Sequence, residues 1–332
     1  MDSREIMRRV IVFDQPPRIG MTLPAPYTND VVSGHASDDP DWRPSRVWQL
    51  ERGARWEDEW GNVWARLDEF SKGQVVEGAL KSWDDLGAYR MPSLDRPDRY
   101  RAAAARFEDK PGLYRIGHLP GFPFAIMRYL RKVEVFLSDL LLYPDEVRAL
   151  ADRVTSLLLS CIDRWAEAGA DGVMFAEDWG TQNQLLVSPR LWRQAFRPDF
   201  ERLVGHAHER RLHVLMHSCG YIADIIPDLI DVGVDVLQLD QPKLLGVDRL
   251  ARDFGGRVSF WCPVDIQATL PTGDLARIEA EAVELVEKLG AKGGGFIAGH
   301  YGGEDAIDVR PEWQDAACRG FVRAGSYAPA AR

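Results

Sequence analysis

A change of rhythm near residue 143 constrains this chain more than any other feature. From there onward, apolar segments of strand length alternate with segments whose apolar residues recur every three or four positions. Residues 144–170 (PDEVRALADRVTSLLLSCIDRWAEAGA) predict a helix that stops at a glycine, and 171–180 a strand. A helix follows over 188–211, opened by Ser188 and Pro189 and kinked or broken at Pro198. The cycle then runs strand 212–220, helix 222–233, strand 234–241, helix 247–256 and strand 257–265. It closes with helix 274–293, strand 295–300 and helix 311–325.

Strands separated by helices pair in parallel through right-handed crossovers. Five such strands are legible, RIGMTL (18–23) and LYRIGHL (113–119) add two, and one more is not placed, so the count approaches eight. The expected fold is α/β: a single (β/α)8 barrel of the TIM type over residues 1–332, with an irregular N-terminal part to about residue 110. Within that part RGARWEDEWGNVWARL (52–67) reads as a hairpin. An open doubly wound sheet is the alternative, but no GxGxxG follows a strand, so its dinucleotide-binding form has no support.

Net charge of −10, from 51 acidic against 41 basic residues, argues against broad affinity for nucleic acid. No apolar run reaches the about 18 residues of a membrane span, and the N-terminus lacks the apolar core of a secretory signal. The expected compartment is the cytoplasm. There, Cys161, Cys219, Cys262 and Cys318 are expected as reduced thiols, open to metal binding or thiolate chemistry.

The reactive side chains have a common address. Each of the five strands turns polar at its C-terminal end: Glu177 and Asp178 with Trp179, then His217 and Cys219, then Gln238, Asp240 and Gln241, then Cys262 and Asp265, then His300. In a parallel barrel these ends share the face on which barrel active sites are built. His217 and Cys219, two apart on one strand, project to one side, and imidazole with thiolate suits zinc. The candidates for a third ligand are His300, Cys262 and Glu177. Glu177, Asp178 and Asp265 are candidate acid–base groups, and Gln238, Asp240 and Trp179 candidate contacts to substrate or cofactor. The blander reading is a packed thiol beside a hydrogen-bonded core histidine, with Asp265 as a turn cap.

The stretches EDWGTQNQLLVSPRLWRQAFRPDFERLVGHAHERRLHVLMHSCGYIADIIPDLIDVGVDVLQLDQP and GGGFIAGHYGGEDAIDVRPE resemble the uroporphyrinogen decarboxylase superfamily, and REIMRRVIVFDQPPRIGMTL is similar to its N-terminal helix and first strand. The resemblance implies a (β/α)8 barrel and one of two chemistries. The decarboxylases of the family act on tetrapyrroles without a cofactor and carry an arginine-rich R-Q-A-G-R motif, where this chain reads MTLPAPYTND. The zinc-dependent methyltransferases move a methyl between a corrinoid protein and an acceptor, and their H-x-C signature matches His217 and Cys219. This branch is the closer resemblance, implying zinc, a corrinoid as substrate or on a partner protein, and a small-molecule substrate. A tetrapyrrole decarboxylase and a non-catalytic corrinoid- or ligand-binding barrel are the alternatives.

Overall fold

A computed structural model of the chain describes residues 1–47, 53–66, 73–302 and 308–327. Helix α1 (Ser3–Ile11) opens the fold, its first turn capped by the Asp2 carboxylate accepting from the Glu5 N–H. Strands β1 (Gly20–Thr22) and β2 (Val31–His35) follow. The chain then makes an antiparallel excursion of β3 (Arg55–Glu57), β4 (Val63–Ala65) and β5 (Gln74–Glu77). The β3–β4 pair is the hairpin read from the sequence, though residues 52 and 67 lie outside the described residues. Its turn is built on Asp58, whose carboxylate accepts from the amides of Trp60 and Asn62 and from the Trp64 indole, with Gly61 at a φ of 80°.

The barrel resumes after α2 (Arg101–Asp109) with β6 (Tyr114–His118). Then come α3 (Pro123–Arg131), α4 (Val133–Leu142), α5 (Pro144–Glu167), β7 (Gly172–Ala176), α6 (Pro189–Ala195), α7 (Arg197–Glu209) and β8 (His213–His217). The break expected near Pro198 falls at Phe196, and Pro198 lies in the first turn of α7. The last third holds α8 (Ile226–Asp231), β9 (Val236–Gln238), α9 (Pro242–Leu245), α10 (Val247–Arg249), β10 (Ser259–Cys262), α11 (Leu275–Leu289), β11 (Phe296–Gly299) and α12 (Pro311–Ala324).

Eight strands form one all-parallel sheet in the order β1-β11-β10-β9-β8-β7-β6-β2, the arrangement of a single (β/α)8 barrel. The eighth strand, unplaced in the sequence, is β2, whose short VVSGH run carries little apolar signal. Buried Asp30 draws the two ends of the sheet together. Its N–H donates to Met21 O at 2.7 Å, while its carboxylate takes the Met21 amide and both Arg18 guanidinium nitrogens. No helix among the described residues is long and apolar enough to cross a membrane.

Two facts position the site. First, α1 plugs the N-terminal end of the barrel: Ile6, Met7, Val10 and Ile11 pack with the lumenal residues Tyr114, Ile116, Leu215, Val236 and Ile297. Arg4 and Arg8 fix the plug to Asp171. Second, side chains two residues further along each strand must also face the lumen, now at the C-terminal mouth. Those residues are His118 after Ile116, His217 after Leu215, and Gln238 after Val236.

Candidate metal centre

At the mouth, β7 and β8 converge on three ligand-type atoms. His217 Nε2 stands 3.3 Å from Cys219 Sγ and 3.4 Å from Asp178 Oδ1. These three residues are the one cluster of its kind among the described residues, with all ligand atoms within 4.8 Å of one another. Bond lengths of about 2.0–2.3 Å at tetrahedral angles place neighbouring ligand atoms about 3.3–3.6 Å apart, so the two distances from His217 Nε2 fit a zinc-sized ion.

Close backbone approach makes this convergence available. A Cβ on Gly220, at a φ of 78°, would lie 2.3 Å from Gly180 O, and one on Gly180 would lie 2.4 Å from the Tyr221 amide. The loops after β7 and β8 can come this close only with glycine at positions 180 and 220, and the Tyr221 N–H donates to Thr181 O at 2.8 Å. That contact lets the Cys219 N–H donate to Asp178 Oδ1 at 2.9 Å.

The orientation of the imidazole follows from a relay. Asp240 accepts from Gln238 Nε2 at 2.7 Å, and a carboxylate can only accept. The Gln238 amide oxygen must then face His217 Nδ1, with which it is hydrogen-bonded. Nδ1 carries the proton, and Nε2 is turned to Cys219 and Asp178, the arrangement expected behind a metal-bound histidine. Burial alone would lower the His217 pKa, but the hydrogen bonds to Asp178 and Cys219 outweigh it and raise it. For Asp178, burial works upward. His217, the Cys219 amide and Arg128, whose Nη2 lies 3.6 Å from Oδ2, outweigh it and hold the carboxyl well below its usual range.

The neighbouring carboxylate is treated in the opposite way. Glu177 is fully buried on the other side of the chain, where Oε1 accepts from the Ala125 N–H at the start of α3 and Oε2 has no hydrogen-bond partner among the described residues. Burial pushes its carboxyl up to about 8, so it is protonated at neutral pH beside an ionised Asp178.

The expected third ligands sit elsewhere. Parity on β10 turns Trp261 toward the lumen and Cys262 outward into the helix layer, fully buried, with its thiol pushed up by burial. His300 follows lumen-facing Gly299 and is outside the cluster; Tyr301 is the residue of that segment whose phenol feels the Asp240 and Cys219 charges. Neither Tyr301 nor Arg128 stands out in the sequence: Arg128 lies on helix α3, and Tyr301 follows the more conspicuous His300. Asp265 is a loop organiser: its carboxylate accepts the amides of Lys243, Gln267 and Ala268. Trp179, expected as a ligand contact, is fully buried and stacks on Phe124 at 4.0 Å against Trp192 and Phe196, so its side chain belongs to the core. Gln238 and Asp240 stand at the mouth as the relay behind His217.

Comparison with known proteins agrees with this architecture. The family model for uroporphyrinogen decarboxylase (URO-D) matches residues 71–301. A uroporphyrinogen decarboxylase of Coxiella burnetii is 25% identical over 242 residues, covering 69% of this chain and 64% of that enzyme. The methylcobamide:CoM methyltransferase MtaA of Methanosarcina barkeri is 23% identical over 212 residues, covering 64% of this chain and 59% of that one. The chain thus spans less than two thirds of the length of these relatives. Among solved structures, a methyltransferase from Methanosarcina mazei superposes with a TM-score of 0.64 at 20% identity, covering 80% of this chain and 76% of that chain, a likeness of fold.

Proposed function

The chain belongs to the uroporphyrinogen decarboxylase family, and from that premise we propose that it is a zinc-dependent methyltransferase, moving a methyl group between a corrinoid, free or on a partner protein, and a small acceptor. The observation that carries this reading is the His217–Cys219–Asp178 cluster with its Gln238–Asp240 relay. A cofactor-free decarboxylase has no use for a thiol and an imidazole held at metal-ligand spacing.

In this reading His217 Nε2, Cys219 Sγ and Asp178 Oδ1 hold the metal. Zinc bound there would lower the pKa of a coordinated thiol and so present a thiolate nucleophile at neutral pH. The remaining work falls to the chain. Gln238 fixes the imidazole tautomer. Arg128 and the Cys219 amide hold Asp178 ionised and in place. Protonated Glu177 adds no competing charge behind the cluster. Tyr301, at the rim, can donate a hydrogen bond to a bound substrate.

Metal analysis of protein purified without chelator tests the reading. The expected result is about one zinc per chain, lost in His217→Ala and Cys219→Ala, together with thiol-dependent demethylation of methylcobalamin that stops on chelation. Full activity in metal-free protein overturns it. Formation of coproporphyrinogen from uroporphyrinogen in the presence of chelator would instead establish the decarboxylase alternative.

A further inference from the structure

A cavity of about 480 Å³ lies between the C-terminal ends of β2 and β6 and the small β3–β5 sheet. His35 and His118, the last residues of these two strands, are paired in register, and their imidazoles stack with centroids 4.2 Å apart and planes 19° from parallel. The rings of Trp42, Trp56, Trp60 and Tyr100 line the same space. β6 also adjoins β7, the strand that delivers Asp178.

The imidazoles are what sets this cavity apart. His206, His208 and His213 are each tied to a protein partner: Asp163, Asp235 and the Tyr114 hydroxyl. Among the described residues neither the His35 nor the His118 imidazole has a hydrogen-bond partner, although the His118 carbonyl accepts from the Trp165 indole. His118 is half-buried and His35 exposed at the cavity rim, so both rings keep nitrogens free to meet a ligand there. Burial lowers both pKa values, that of His118 to about 4. The pair is therefore neutral at pH 7 and offers N–H donors as well as lone-pair acceptors to the cavity.

The rest of the lining narrows the chemistry. Four carboxylates (Asp38, Glu57, Asp58 and Glu59) stand against two guanidinium groups, Arg46 and Arg99. Arg99 is already engaged by both oxygens of Glu59 at 2.9 and 2.7 Å. The excess negative charge disfavours an anion, and the indole faces favour a flat ring.

We infer that this cavity binds a planar aromatic small molecule, uncharged rather than anionic, whose hydroxyl or N–H groups pair with the stacked His35 and His118 while its ring packs on the indoles. The inference rests on the cavity's own lining and is independent of the metal reading.

Calorimetry and tryptophan fluorescence on the full chain, treated with chelator, test it with 4-hydroxybenzyl alcohol as the probe. The expected result is saturable binding at one site per chain with quenching, and about tenfold weaker binding of 4-hydroxybenzoate, which has the same ring and a negative charge. His118→Leu and Trp42→Ala should each weaken binding by about tenfold or more, while Cys219→Ser leaves it unchanged. Thermal unfolding identifies any variant that fails to fold, and Trp42, only partly buried, serves if His118→Leu does not. The absence of heat and quenching at millimolar probe overturns the inference. So does equal affinity for the benzoate, preference for tetramethylammonium (the mark of a cation cage), or unchanged binding in the folded variants.

Discussion

The Gln238 relay gives the sharpest test of how the cluster works, because Gln238 is not itself a ligand. Gln238→Leu removes the acceptor of His217 Nδ1–H and leaves Asp240 without its 2.7 Å donor. The ring is then no longer held with its Nδ1–H on an acceptor and Nε2 aimed at Cys219 and Asp178, so metal binding must also fix its orientation and tautomer. The His217 side chain is only 17% exposed, so water substitutes poorly for the lost acceptor. Partners of this kind are worth about 10- to 100-fold in metal affinity, or about 1.4–2.7 kcal/mol at 1.36 kcal/mol per decade. Competition for zinc against a chromogenic chelator at pH 7 measures this directly. Gln238→Leu should fall in that range, whereas His217→Ala and Cys219→Ala should lose more than about 1,000-fold, as befits ligands. A Gln238→Leu affinity within about twofold of the parent protein, beside strong loss in His217→Ala, would refute the tautomer argument.

Other predictions follow from single contacts. Gly220→Ala forces apart the loops after β7 and β8, so zinc affinity should fall by at least about tenfold with the barrel still folded, read by the same competition and by circular dichroism. Asp265→Ala strips the acceptor from three loop amides and should lower unfolding free energy by about 3 kcal/mol in denaturant titration. His118, near 4 in the fold against about 6.5 unfolded, is neutral when folded, so its contribution is present above about pH 6.5 and is lost as pH falls toward 4. That amounts to about 3 kcal/mol, and His118→Phe should flatten this part of the stability–pH curve; a curve identical to that of the parent protein would count against a buried neutral imidazole.

The sequence alone determined a parallel α/β architecture and favoured the barrel over an open sheet. Alternating periods of two and 3.6 can be satisfied only by strands and helices in turn, and helices between strands force parallel pairing. The same periodicity placed His217 and Cys219 at a strand end, because residues two apart on a strand share a face. It left β2 unplaced, since VVSGH is too short and polar to stand out. It also left the third member of the cluster open, because that choice depends on how two loops meet in space. Tertiary structure decided it through the Gly180–Gly220 contact, which brings Asp178 to the imidazole. Strand parity, meanwhile, turns Cys262 into the helix layer. The unlike states of Glu177 and Asp178 are likewise tertiary in origin. Adjacent in sequence and alike in chemistry, they differ because one is sealed behind α3 and the other faces an imidazole and a guanidinium at the mouth.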